Sequence, residues 1–343
     1  MKIRIVLALS ALLLTGCGGK EKSSMEDSLV ILQNDHVKVG VLAGVGGRVV
    51  WLSKPGMGNV LKADPALWNE PESERPKPSP TAEFKTYNGH IVWVGPQSGW
   101  WLQQDVNQKR LQEKAVWPPD PYLIYGNFEI VEQRADYVKL TGPQSPVSGL
   151  QLTKEITLDE NGKVIFKVTA ENIRDEAVTW DLWMNTRMDA FDPFYVPADS
   201  SGLEWMGMQE NERQDVTPYE FVDGYFTFNP SDPESGKAMQ VQKAYLTPNK
   251  PYLAAFCNNQ MFIIHFKEIG KDRIHPEHTL TEIYNVVRKG RSETLLELEV
   301  HGAYTTLQPG ERMSLQEEWD VYMYEGGDTH QNWIDALKQV ITE

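Results

Sequence analysis

Two kinds of side chain in this sequence could act on, or grip, a small molecule. The first is a carboxylate and an imidazole: Glu282 in Thr281-Glu282-Ile283-Tyr284-Asn285, and His90 in Gly89-His90-Ile91-Val92-Trp93. Such groups exchange protons with a substrate when they stand within hydrogen-bond reach of it. The second is a set of aromatic faces, which stack on the apolar faces of sugar rings. Trp100 and Trp101 follow Gly99 among prolines and glycines and are expected to be partly exposed; core packing is the alternative reading of the same rings. Arg187, in Trp183-Met184-Asn185-Thr186-Arg187-Met188, keeps its proton at neutral pH. It can hold a hydroxyl or a carboxylate but cannot serve as an acid. On a regular strand His90 and Val92 face one side and Ile91 and Trp93 the other, so His90 and Trp93 share a cleft only across a bulge.

Two further groups read as bland. His275, Glu277 and His278 stand in Ile274-His275-Pro276-Glu277-His278, near Glu282. The order is not His-Glu-x-x-His, and Pro276 forbids a regular helix, so neither a metal nor another cofactor is expected. Cys257 lies in an apolar run, Leu253-Ala254-Ala255-Phe256-Cys257, and reads as a buried, inert thiol.

These side chains must be positioned by a large β structure. The chain has 343 residues, 41% of them hydrophobic, and 11 tryptophans, enough for a sizeable core. Val37, Val39 and Val41 alternate with Lys38 and Gly40; a glycine turn at Gly44, Gly46 and Gly47 follows, and then Arg48-Val49-Val50-Trp51-Leu52. Pro55, Gly56, Gly58 and Asn59 make a second turn before a third strand that ends at Leu61. In the middle, Asp159-Glu160-Asn161-Gly162 is a hairpin turn, and Asn172–Glu176 a second turn before a strand over 178–184, which together suggest an antiparallel meander. Two strands follow over 248–266, and three more over 280–287, 294–300 and 312–323. The stretch Gln103–Ala115 allows one short helix, and an amphipathic helix over 330–341 closes the chain with Trp333, Ile334, Leu337 and Ile341 on one side. No strand–helix–strand alternation occurs, which disfavours a doubly wound fold. The reading is an all-β, large two-sheet antiparallel β-sandwich with a short C-terminal helix.

The N-terminus reads as a targeting segment. Lys2 and Arg4 precede an apolar run from Ile5 to Leu14, and Leu14-Thr15-Gly16-Cys17 matches the bacterial lipobox. By that resemblance residues 1–16 are a signal peptide and Cys17 is lipidated. Residues 17–28 form a polar tether, and one domain occupies 29–343. Gly18 after the cysteine resembles the outer-membrane default, so the expected location is the cell envelope, facing the periplasm. The formal net charge of −15 repels nucleic acid and disfavours anionic polysaccharide; a neutral ligand or a cation is the easier partner.

The glycine turn with Arg48, the GHxxW segment at His90, the central strands, Leu296-Glu297-Leu298-Glu299, and Leu307-Gln308-Pro309-Gly310-Glu311 before the last strand come in an order that resembles the galactose mutarotase-like (aldose 1-epimerase-like) superfamily. The resemblance implies the supersandwich fold and a sugar as ligand. It gives Glu282 the place of the family's base and His90 that of a catalytic histidine. Arg48, Trp93, Trp100, Trp101, Asn185, Arg187 and Tyr284 become candidate sugar contacts. The departure is at Asn185-Thr186-Arg187, where enzymes of the family carry Asn-His: the acid is missing at the matching place. The expected function is therefore a membrane-anchored binder of neutral carbohydrate. An aldose 1-epimerase-like isomerase, and a non-catalytic structural or partner-binding lipoprotein, are the alternatives.

Overall fold

A computed structural model describes residues 29–205 and 211–341. Cys17 and the lipobox lie outside the described residues. Twenty-one strands and four short α-helices are present among them. In chain order the strands are β1 Val30–Gln33, β2 Lys38–Leu42, β3 Arg48–Ser53, β4 His90–Gly95, β5 Glu129–Arg134, β6 Tyr137–Gln144, β7 Leu150–Leu158, β8 Val164–Asn172, β9 Val178–Met188, β10 Phe194–Pro197, β11 Leu203–Glu204, β12 Gln214–Val216, β13 Tyr219–Val222, β14 Tyr225–Phe228, β15 Met239–Leu246, β16 Tyr252–Cys257, β17 Gln260–Phe266, β18 Thr281–Arg288, β19 Thr294–His301, β20 Thr305–Leu307 and β21 Arg312–Met323. They form two sheets. One runs β1-β2-β3-β4-β9-β19-β18-β15-β11, with β12 beside β15 and β20 beside β9; the other runs β13-β14-β10-β16-β17-β21-β8-β7-β6-β5. All pairs are antiparallel except β12 with β15. No helix among the described residues is long and apolar enough to cross a membrane.

The alternation that makes a half-buried strand is clearest in β7 and β8, where every second side chain is buried. These two pair as a hairpin, but β9 does not join them as a meander would require. It crosses to the other sheet and lies between β4 and β19. Its burial fits the place: ten of its eleven residues, all but Thr179, are buried, the pattern of a central strand covered on both faces. Asn172 holds the crossover turn, donating to the carbonyls of Glu176 and Leu307. The third strand expected before Leu61 does not form either. After the second turn the chain returns one bond to β3, Val60 N–H to Leu52 O, and an isolated bridge joins Ala63 to Asn88.

The glycine turn before β3 is a close-packed junction. Gly46 and Gly47 have φ of 73° and 53°, and a Cβ on Gly46 would stand 2.4 Å from the Ile124 carbonyl oxygen. Arg48 donates from Nε, Nη1 and Nη2 to the carbonyls of Val45, Asn88 and Ile124. All three nitrogens are thereby engaged with backbone, so Arg48 braces the turn.

Between the sheets lies a continuous apolar core that includes Phe166, Trp319, Leu152 and Ile264. A smaller cluster, with Tyr195, Phe256 and Met261, is covered by the C-terminal helix (His330–Ile341) through Ile334 and Leu337.

Candidate functional site

One face of the first sheet carries the polar side chains, and the strand register places them in rows. Trp93, Trp183 and His301 are cross-strand neighbours on β4, β9 and β19. Asn185, Glu299, Glu282 and Tyr245 form a second row across β9, β19, β18 and β15, and Arg187, Glu297, Tyr284 and Lys243 a third. Residues directly opposite in antiparallel strands hold their Cβ atoms about 4.5–5.5 Å apart, so each row is a chain of contacts. Segments between β3 and β5 fold over this face and supply Phe84, Val116 and Trp117 as a wall. The result is a cleft of about 860 Å³ lined by aromatic side chains and by charged residues, among them Arg187, Lys243, Glu297 and Glu299.

The charges are paired. Arg187 Nη2 is 2.7 Å from Glu297 Oε1, and its guanidinium lies over the Trp93 ring. Lys243 Nζ bridges Glu282 Oε2 at 2.7 Å and Glu299 Oε2 at 2.9 Å, above the face of Trp183. Trp183 Nε1 also donates to Glu299 Oε2. Trp93 Nε1 is buried and has no hydrogen-bond partner among the described residues.

Trp183 is a partition. Its ring touches Trp93 and Trp100 on the cleft side and packs against His278 and His301 on the other. Beyond it, Glu282 Oε1 is 2.8 Å from His278 Nδ1 and 3.4 Å from His301 Nε2, and His301 Nδ1 is 3.4 Å from Asp181 Oδ2. Burial alone would raise the Glu282 carboxyl, but Lys243 and His301 outweigh it and hold the group well below the carboxylate range. Burial opposes charge on His301, yet Glu282 and Asp181 lift it to about 9. Burial raises Glu299 to about 8 against the pull of Lys243. Burial, and then His301, lower His278.

The candidates named from sequence part company here. Glu282, Asn185, Arg187, Trp93 and Tyr284 share the polar face. His90 does not: its ring sits edge-on to Phe166 and Trp319 in the sandwich interior, with Nδ1 2.9 Å from Thr186 Oγ1. β4 has no bulge at this point, so alternation sends His90 and Trp93 to opposite faces. Trp100 and Trp101 are 2% and 0% exposed rather than partly open. Their indoles are spent on the Val94 and Pro118 carbonyls, and Trp101 is covered by Arg110. Trp117, which exposes 46% of its surface, takes the part assigned to them. Cys257 is partly buried, and burial and then Asp192 push its thiol up, as suits an unreactive group.

Sequence reasoning missed Asp181, Trp183, Lys243, Tyr245, Glu297, Glu299 and His301 as site residues. A signal existed in two strands: Asp181, Trp183, Asn185 and Arg187 alternate along β9, and Glu297, Glu299 and His301 along β19.

The fold is that of the galactose mutarotase-like β-sandwiches. Three solved structures share it over most of their length. The Slr1438 protein of Synechocystis has 13% identity over 86% of this chain and 96% of its own, with a TM-score of 0.52. A galactose mutarotase related enzyme of Lactobacillus acidophilus has 8% identity, coverage of 87% and 98%, and a TM-score of 0.51. A galactose mutarotase-like protein of Clostridium acetobutylicum has 10% identity, coverage of 86% and 95%, and a TM-score of 0.50. No curated protein matches the sequence. Within this fold the chain belongs to the family described as a domain of unknown function, DUF4380, whose model matches residues 28–322.

Proposed function

We propose that this protein is a carbohydrate-binding protein of the cell envelope, tethered through a lipid on Cys17, and that its cleft receives a neutral sugar. The observation that carries the reading is the pairing of aromatic faces with neutralised charges in one open cleft. Trp117, Tyr245 and Tyr284 offer ring surface, while Arg187–Glu297 and Lys243–Glu299 offer donors and acceptors fixed in place. Each methylene-sized piece of sugar that a ring covers is worth about 0.8 kcal/mol. The sugar-related function of the fold at large supports the same class of ligand.

Binding is preferred over isomerisation because the expected acid–base pair is not assembled across the cleft. Glu282 is fully buried and already engaged by Lys243, His278 and His301. His90 faces the opposite way, and the histidines near Glu282 stand behind Trp183. A glycan array probed with the full chain in detergent, followed by calorimetry on the hits, tests the reading. Neutral glycans are expected to bind, and Trp117→Ala to weaken them roughly fivefold or more through the lost ring contact. No binding to any neutral glycan rejects it. Polarimetry on free sugars separates the alternative: rapid mutarotation by the wild type would restore an isomerase. For the anchor, Cys17→Ser is expected to leave the protein unlipidated, and palmitate labelling that persists in the variant would refute it.

A further inference from the structure

Two groups of metal-ligating side chains lie on the polar face, and they differ in what already fills them. Glu282, Glu299 and His301 bring their ligand atoms within 4.8 Å of one another, but the Lys243 ammonium stands between the two carboxylates at 2.7 and 2.9 Å. A fixed cation occupies that place. Asp181, His278 and His301 also gather within 4.8 Å, and no lysine or arginine reaches them among the described ion pairs. Asp181 Oδ1 and His278 Nε2 are buried with no hydrogen-bond partner, and His301 turns Nδ1 toward Asp181 Oδ2 at 3.4 Å and Nε2 toward Glu282 Oε1. Two orphaned polar atoms side by side are costly, since each has given up water without replacement.

We propose that Asp181, His278 and His301 bind a divalent transition-metal ion of the zinc class. The site has the usual supports of such a centre. His278 Nδ1 is pinned 2.8 Å from Glu282 Oε1, which fixes the ring and turns Nε2 toward Asp181, the carboxylate–histidine–metal arrangement. Position 95 is glycine, and a Cβ there would stand 2.3 Å from Asp181 Oδ1 and 3.0 Å from His278 Nε2. Both ligand atoms are thus turned to the same side, and that side is kept clear by the missing side chain. His301, fully buried and stacked on His278, presents Nδ1 3.4 Å from Asp181 Oδ2 and so stands beside the other two ligands. Two imidazoles and one carboxylate are a nitrogen- and oxygen-rich set that suits Zn²⁺ or Co²⁺ and leaves a fourth position open.

Cobalt is the probe. The full chain in detergent, stripped with chelator and titrated with Co²⁺, is expected to give visible d–d absorption that saturates at one equivalent and is displaced by Zn²⁺. His278→Gln and Asp181→Asn should each weaken binding roughly tenfold or more, and Glu277→Gln, next in sequence but outside the set, should not. X-ray absorption of the zinc-loaded wild type reads the ligands without any variant: an all-nitrogen and oxygen shell with two imidazoles is expected. Absence of the cobalt bands in the wild type, sulfur in the shell, or unchanged affinity in both variants overturns the site.

Discussion

The sheet that contains β4 and β9 has a buried titratable cluster against each of its faces, and the two clusters are built on different terms. On the inner face stand His90, Lys154 and Glu317. Burial, and then Arg48, hold the Lys154 ammonium well below its usual range; burial, and then Lys154, do the same to His90; burial raises Glu317 to about 8. Each group is shifted toward its neutral form. Lys154 donates to the carbonyls of Gly46 and Gly47, and Glu317 accepts from Trp319 Nε1. On the outer face Lys243 and His301 are raised and Glu282 is lowered because each has an opposite charge within 3.4 Å, while burial raises Glu299 to about 8 against the pull of Lys243. Neutral clusters brace a core. A charged cluster beside an open cleft keeps a field there, at the cost of desolvation, and marks where a ligand meets the protein.

The contrast breaks first at the lysines. Lys243→Met leaves Glu282 and Glu299 facing each other without their cation, and is expected to cost about 3–5 kcal/mol in urea unfolding. Lys154→Met loses no charge pair, only the bonds to two carbonyls, and should cost about 1–3 kcal/mol. Equal losses, or the reverse order, would show that the two faces are not built differently.

A pH series sharpens the inner face alone. Glu317 is raised in the folded state, so between about pH 4.5 and 8 the unfolded chain releases a proton that the folded chain keeps. Stability should fall as pH rises through this window, by about 1.4 kcal/mol from pH 6 to pH 7 for this one group. Glu317→Gln keeps an acceptor for Trp319 and removes the slope. The difference between wild type and variant, plotted against pH, should therefore favour the variant increasingly up to about pH 8 and then level off. A difference that is flat from pH 5 to 8 would mean that Glu317 is ionised in the core.

How much of this was legible in the sequence follows from where each signal is stored. The strands over 281–288, 294–301 and 312–323 announce themselves through local alternation and turn residues. The crossover of β9 was not read because its near-complete burial comes from neighbours more than a hundred residues away, such as His301 opposite Trp183. The same holds for the site. Glu297 and Glu299 read as a solvated strand face until Arg187 and Lys243 are set beside them. His90 and Trp93 show the converse: alternation alone placed them on opposite faces, and the structure keeps them there.

The smallest effect concerns salt, and it distinguishes the cleft from a surface that attracts charged polymers. Screening weakens exposed charges that act over distances beyond about 8 Å at physiological ionic strength, and leaves buried pairs nearly untouched. In the cleft Arg187 is paired with Glu297, Lys243 with Glu282 and Glu299, and Arg288 with Glu293. No net positive field is left there to draw a polyanion, and the formal charge of −15 on the chain opposes one. A neutral sugar held by ring stacking and short hydrogen bonds should then change its affinity less than about twofold between low and physiological salt. Calorimetry at the two ionic strengths measures this directly. A steep loss of affinity would mean that binding draws on exposed cations outside the paired set, and would move the ligand from neutral glycans to anionic ones.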